Sequence, residues 1–177
     1  MLTKVISGFQ SGIDAMGVRV ARSLGLATGG TTTPDFGQEN GVKAEFAAKA
    51  FGIRACTQSE EETFRKKHPG LSRGQYYYLP RTELNVQNSD ATVYFATELD
   101  SAGAMATERF AKEQHKPFFM YKREFTTAEQ LIKLLKTADV KVLNVAGNRG
   151  SKISNVELEQ FSTILRLALT ETMSTPF

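Results

Sequence analysis

What most constrains this chain is a repeated hand-over from a short apolar run to a stripe of helical period. Val5 and Ile6 lie in an apolar run over residues 2–7 that stops at glycine, which reads as a buried strand. Ile13, Met16, Gly17, Val20, Ala21 and Leu24 follow at the spacing of a helix packed on a sheet, and Gly25 ends it. The pattern recurs three times. A strand over 91–96 precedes a helix over 104–114. A strand over 117–121 precedes a helix over 127–138, with Leu131, Leu134 and Leu135 on one face. A strand over 141–145 precedes a last helix that opens at the capping-box pair Ser154 and Glu157. That helix runs to about Met173 with Leu158, Phe161, Ile164, Leu165 and Ala168 inward. Between these units, 27–30 reads as a short strand, 31–41 as a loop, 42–51 as a helix and 78–88 as containing a short helix. Residues 57–75 are charged and polar around a Pro69–Gly70 turn and read as a mobile insertion. Alternation of this kind dictates an α/β fold, a mostly parallel sheet with helices on both faces. A chain of 177 residues has material for one such domain, expected to span 1–177.

In an open parallel sheet, ligands gather beyond the carboxyl ends of the strands. Three loops of this chain leave a strand there and enter a helix. The first carries Gly8, Phe9, Gln10, Ser11 and Gly12, with Asp14 in the first helical turn. A helix N-terminus offers unpaired N–H groups and a partial positive charge, and glycines let backbone approach an anion. The loop is thus either a phosphate cradle, with Asp14 on a ligand hydroxyl or ring N–H, or a tight turn with Asp14 favouring the helix dipole. The second holds Asp100, Ser101 and Gly103, with Thr107 one turn on; it is an anion or sugar site or a plain N-cap. The third runs from Gly147 to Lys152, where Asn144, Asn148 and Arg149 make either a polar pocket or a solvated basic loop. Arg81 and Asn85 stand ahead of the 91–96 strand, and an arginine there can grip phosphate bidentately. Tyr76, Tyr77 and Tyr78 either stack on a flat ring or cover a core edge or subunit contact.

The net charge is +3, from 22 Lys and Arg against 19 Asp and Glu. That excess suits an anionic ligand and falls short of the clustered basic face of a nucleic-acid binder. Cys56 is the lone cysteine, so no internal disulfide forms, and His68 and His115 have no zinc spacing; no metal is expected. No apolar run approaches the roughly 20 residues of a membrane span, and the opening residues lack the apolar core of a signal peptide. The expected location is the cytoplasm. There is no serine elbow, no G-K-[ST] phosphate loop and no nucleophile–base pair, so no catalytic residue is assigned.

Four segments, in order, resemble one family. Residues 6–14, Ile-Ser-Gly-Phe-Gln-Ser-Gly-Ile-Asp, resemble its S-G-G-Q-T-G-x-D opening. Residues 81–92 are similar to R-T-x-x-N-V-x-x-S-D-G-T, residues 102–107 to G-G-T-x-x-T, and residues 143–149 to L-N-V-A-G-P-R. These are motifs of the molybdenum-cofactor carrier family, part of a Rossmann-like (SLOG) superfamily. That superfamily also holds the LOG phosphoribohydrolases and the DNA-processing protein DprA. The resemblance implies a single Rossmann-like domain, a homo-oligomer, and a pocket for a phosphorylated small molecule. The implied ligand is molybdenum cofactor or a nucleotide-derived molecule such as a cyclic nucleotide or ADP-ribose derivative. Gly8, Gln10, Ser11 and Gly12 would hold phosphate, with Arg149 or Arg81 as counter-charge and Asp14 and Asn85 orienting the sugar or ring. The chain departs from the pattern at Phe9, Ala91, Ala102, Ala104 and Asn148. Phe9 stands where a glycine is usual and is expected to narrow the pocket or stack on its ligand. The phosphoribohydrolase pattern P-G-G-x-G-T-x-x-E is absent, with Glu108 one position short. Binding is therefore the leading expectation. Cleavage of an N-glycosidic or phosphate bond, with Asp14 or Glu108 as acid/base, is the alternative, and nucleic-acid binding by analogy with DprA ranks third.

Overall fold

Val5 and Ile6 are buried because their strand is flanked on both sides. In the computed structural model, which describes residues 1–173, β1 (Lys4–Ile6) pairs in parallel with β2 (Ala27–Thr32) and with β6 (Val142–Gly147). β3 (Ile53–Ala55) extends the sheet beyond β2, while β4 (Ala91–Phe95) and β5 (Phe118–Met120) extend it beyond β6. The six strands run in the order β3-β2-β1-β6-β4-β5, all parallel. The last strand of the chain thus lies inside the sheet, joining β1 to β4.

The predicted stripes face this sheet. On one side α1 (Ile13–Ser23), α6 (Ala128–Thr137) and α7 (Asn155–Met173) enclose the main core, where Ile13, Val93, Phe95, Leu131, Leu143, Phe161 and Leu165 are all essentially inaccessible. Beside α1, the short α2 (Glu45–Ala50) adds Ala48 to a small cluster with Val18 and Ile53. On the opposite side α4 (Arg73–Gln87) and α5 (Ala102–Glu113) pack together, and α3 (Gln58–Lys67) leans on them through Phe64. Among the described residues, no helix is long and apolar enough to cross a membrane.

Two stretches differ from expectation. The segment 57–75 is not a mobile insertion: it contains all of α3 and the start of α4. Both helices begin with reciprocal capping boxes, Thr57 with Glu60 and Ser72 with Gln75. Each box satisfies helix-end N–H groups that an unstructured polar run would leave to water. Helix α4 then continues as one 15-residue element through Pro80. Strand β3 had no counterpart in the pattern. It is three residues long and buries only Ile53 fully.

Candidate functional site

Beyond the carboxyl ends of β1, β4 and β6, the exit loops and the inner face of α4 enclose a cleft of about 980 Å³. Of the fifteen residues predicted from the sequence, twelve line it: Gly8, Gln10, Asp14, Arg81, Asn85, Ser101, Gly103, Thr107, Asn144, Gly147, Asn148 and Arg149. Residues from four separated parts of the chain therefore face one space.

Within that space the roles differ from the phosphate-cradle picture. Asp14 occupies the anion position itself. Its carboxylate accepts from the backbone N–H groups of Gln10 and Gly147 and pairs with Arg81 at 3.0 Å. Burial pushes the Asp14 carboxyl up from its ordinary range, against the Arg81 charge and these hydrogen bonds, which hold it down. Gly8 is needed for that pair, because a Cβ there would run into the Arg81 guanidinium and lie 2.9 Å from Asp14 Oδ2. Gly12, at φ +91°, makes room for the 148–150 segment, with Asn148 O 2.5 Å from where its Cβ would be. Ile13 N–H, in the first turn of α1, donates to that same Asn148 carbonyl. The glycines of the opening loop thus make room for protein.

Phe9, Ser11 and Gly12 lie outside the cleft. Phe9 turns into the core at φ 58°, packing 5.6 Å from the Phe51 ring beside Ala15 and Val18. It neither narrows the cleft nor faces it. Ser11 donates to Glu39 at 2.7 Å, and Glu39 also binds the backbone and hydroxyl of Ser151. The loop after β2 folds over this region: Gln38 Nε2 donates to Phe9 O and Gln10 Nε2 to Gly37 O.

Several lining residues are held by the fold. Asn85 clamps the free end of β2, its Oδ1 accepting from Thr31 N and its Nδ2 donating to Thr31 O, both at 2.8 Å. Asn148 Oδ1 accepts from Thr97 N, tying the β6 exit to the β4 exit. Asn144 Nδ2 donates to Thr92 across two strands. Ser101 is the N-cap of α5, and Thr107 Oγ1 donates to the Gly103 carbonyl.

Sequence reasoning missed Tyr94 and did not decide between the tyrosines. Tyr94 sits on β4 in the cleft wall, its hydroxyl pushed up by burial and hydrogen-bonded by Ser101. Of the tyrosine run, Tyr78 lines the cleft with the exposed Arg149 guanidinium 5.3 Å above its ring. Tyr76 packs on Phe64, and the Tyr77 hydroxyl donates to Asp35. Arg81, Arg109, Arg149 and Lys152 set four cations around the cleft against two carboxylates, Asp14 and Glu98. On its floor, Gln10 Oε1 and Arg81 Nε are buried without a protein partner. Glu108 lies elsewhere, paired with Arg123 at the surface.

The sequence profile of the circularly permuted YpsA SLOG family (cpYpsA) matches residues 5–168. The chain belongs to that family. The sheet order β3-β2-β1-β6-β4-β5 is two consecutive runs, β3-β2-β1 and β4-β5, joined through β6. The backbone N–H of Leu2 donates to Thr172 O, which ties the lead-in to β1 to the end of α7. A solved structure from Syntrophus aciditrophicus SB, provisionally named a molybdenum carrier protein, shares the fold. It aligns with a TM-score of 0.69 over 98% of this chain and 96% of its own, at 24% identity. The SLOG membership expected from the four motifs is thus borne out by the family profile, and the Rossmann-like fold by the Syntrophus structure. No curated protein matches the chain.

Proposed function

We propose that this cleft binds a phosphorylated, nucleotide-like small molecule, to carry or sequester it. The observation that carries the reading is the unsatisfied floor. A buried polar group left without a partner costs about 1–3 kcal/mol, and Gln10 Oε1 and Arg81 Nε are such an acceptor and donor on two residues that line the same cleft. A ligand with both N–H or O–H donors and anionic oxygens would satisfy them. The cation excess supports the charge of that ligand, and Tyr78 beneath Arg149 offers a stacking surface for a flat heterocycle. The four motifs of the molybdenum-cofactor carrier family, with a fold neighbour named as a molybdenum carrier, add molybdenum cofactor to the ligand classes worth testing. Its phosphate and pterin would use the same cations and the same aromatic face.

The test is a thermal-shift and calorimetric screen of the purified protein against cyclic nucleotides, ADP-ribose derivatives, nucleotide sugars and pterin phosphates. At least one class is expected to bind, with affinity lowered about tenfold or more by Arg149→Ala and by Tyr78→Ala. A flat response to every class, together with no ligand retained from expression by mass spectrometry, overturns the reading.

One observation favours a second reading, cleavage of a nucleotide. Asp14 is a cleft carboxyl raised by burial, as general acids often are. Release of base or phosphate from the same panel would support it, and no turnover would reject it.

A further inference from the structure

Among α3, α4 and α5, at residues outside the cleft lining, three potential metal ligands converge. His68 is the C-cap of α3, Glu83 is a buried residue of α4, and Glu113 ends α5. One ligand atom from each lies within 4.8 Å of the other two, and His68 Nε2 is 3.2 Å from Glu83 Oε1. We propose that these side chains form a zinc-class divalent-cation site that staples the three helices together.

The case rests on more than clustered acids. An imidazole with two carboxylates is a zinc-type donor set, with a fourth position open to water. The imidazole is already immobilised: His68 stacks 4.5 Å from the Phe64 ring and 5.6 Å from the Phe110 ring, and the Tyr76 hydroxyl donates to its carbonyl. Glu83 has a side chain only 10% exposed, and a buried carboxylate requires a positive partner. Its present partners are the Lys67 ammonium and His68. The Lys67 side chain is 53% exposed on a flexible stem, free to yield its place to an ion. Gln114 supplies a further sign. Its Nε2 reaches the Glu83 carbonyl at 3.5 Å while its buried Oε1 has no protein partner, leaving an uncompensated acceptor in the same seam. Sequence spacing hides the site because the three ligands come from three separate helices.

The experiment uses untagged, chelator-stripped full-length protein titrated with Zn²⁺ alone, with Mg²⁺ and Co²⁺ for comparison. One Zn²⁺ per chain is expected, with a rise in Tm and a tetrahedral Co²⁺ absorption band, and little response to Mg²⁺. Glu113→Gln and His68→Gln should each weaken Zn²⁺ binding at least about tenfold. Glu113 pairs at 3.7 Å only with the similarly exposed Arg109, so Glu113→Gln should change the metal-free Tm little. Absence of Zn²⁺ uptake, or uptake unchanged in both variants, overturns the proposal. The result is independent of whether any nucleotide binds the cleft.

Discussion

Asp14 shows how one side chain can redirect a loop. Backbone N–H groups of the opening loop and of the β6 exit, at Gln10 and Gly147, are turned on a carboxylate of the protein itself, with Arg81 drawn in to balance it. Replacing Asp14 with Asn should therefore act in two directions. It removes the charge partner of an arginine whose side chain is only 15% exposed, a loss offset by relief of the buried carboxylate's desolvation, so the net change in chemical denaturation should be small. It also frees that guanidinium toward the cleft, so affinity for phosphate-bearing ligands should rise. The pH dependence carries a sign of its own. A carboxyl raised above its ordinary value of 3.8 binds its proton more tightly when folded, so its contribution to stability falls as pH rises through the carboxylate range. Asp14→Asn should lack that slope in urea midpoints measured from pH 3 to 7. If the variant instead loses all ligand binding while remaining folded, Asp14 contacts the ligand directly and the internal-anion reading fails.

At the scale of elements, the join between β3 and α3 makes the clearest prediction. Arg54 on β3 binds Glu60 in the first turn of α3 at 2.6 and 2.8 Å, while the Thr57 backbone N–H donates to the same carboxylate. The Arg54 hydrogen bonds lead in drawing the Glu60 carboxyl down from 4.5 to about 2, so its stabilisation is complete above pH 4.5 and disappears as pH falls toward 2. Glu60→Gln should destabilise the protein at pH 7, and the gap from wild type should close by about pH 2. A gap independent of pH would assign the effect to the cap rather than the charge. This region also marks the boundary of what the sequence discloses. Helices α1, α6 and α7 were legible because each buries a stripe at helical period. Helix α3 buries only Phe64 and β3 fully buries only Ile53, so neither leaves a periodic trace. The signals of α3 and of α4 were the local pairs Thr57–Glu60 and Ser72–Gln75, which follow the same S/T-x-x-E/Q rule that located α7 at Ser154. Much of the cleft was legible for a different reason: strand-exit loops of a parallel sheet share one edge. The partners that decide each residue's role were not. Asn85 on Thr31, Asn148 on Thr97 and Asp14 on Arg81 are contacts between residues 51 to 67 positions apart, which no local pattern encodes.

For the whole molecule, the place of β6 governs the order in which the fold can be made. Strands β1, β2 and β3 form one parallel run and β4 and β5 another, and β6 alone joins them, through Val5↔Leu143 on one side and Val93↔Val145 on the other. During synthesis both runs leave the ribosome before the strand that unites them, each with an unpaired edge of mostly buried residues. Such edges recruit other strands, so the nascent chain has a window of aggregation that closes only as residues 142–147 emerge. A chain that begins at β6 and continues through α7 into β1 would make its central strand first, so its yield on translation in a chaperone-free extract should exceed that of the present order.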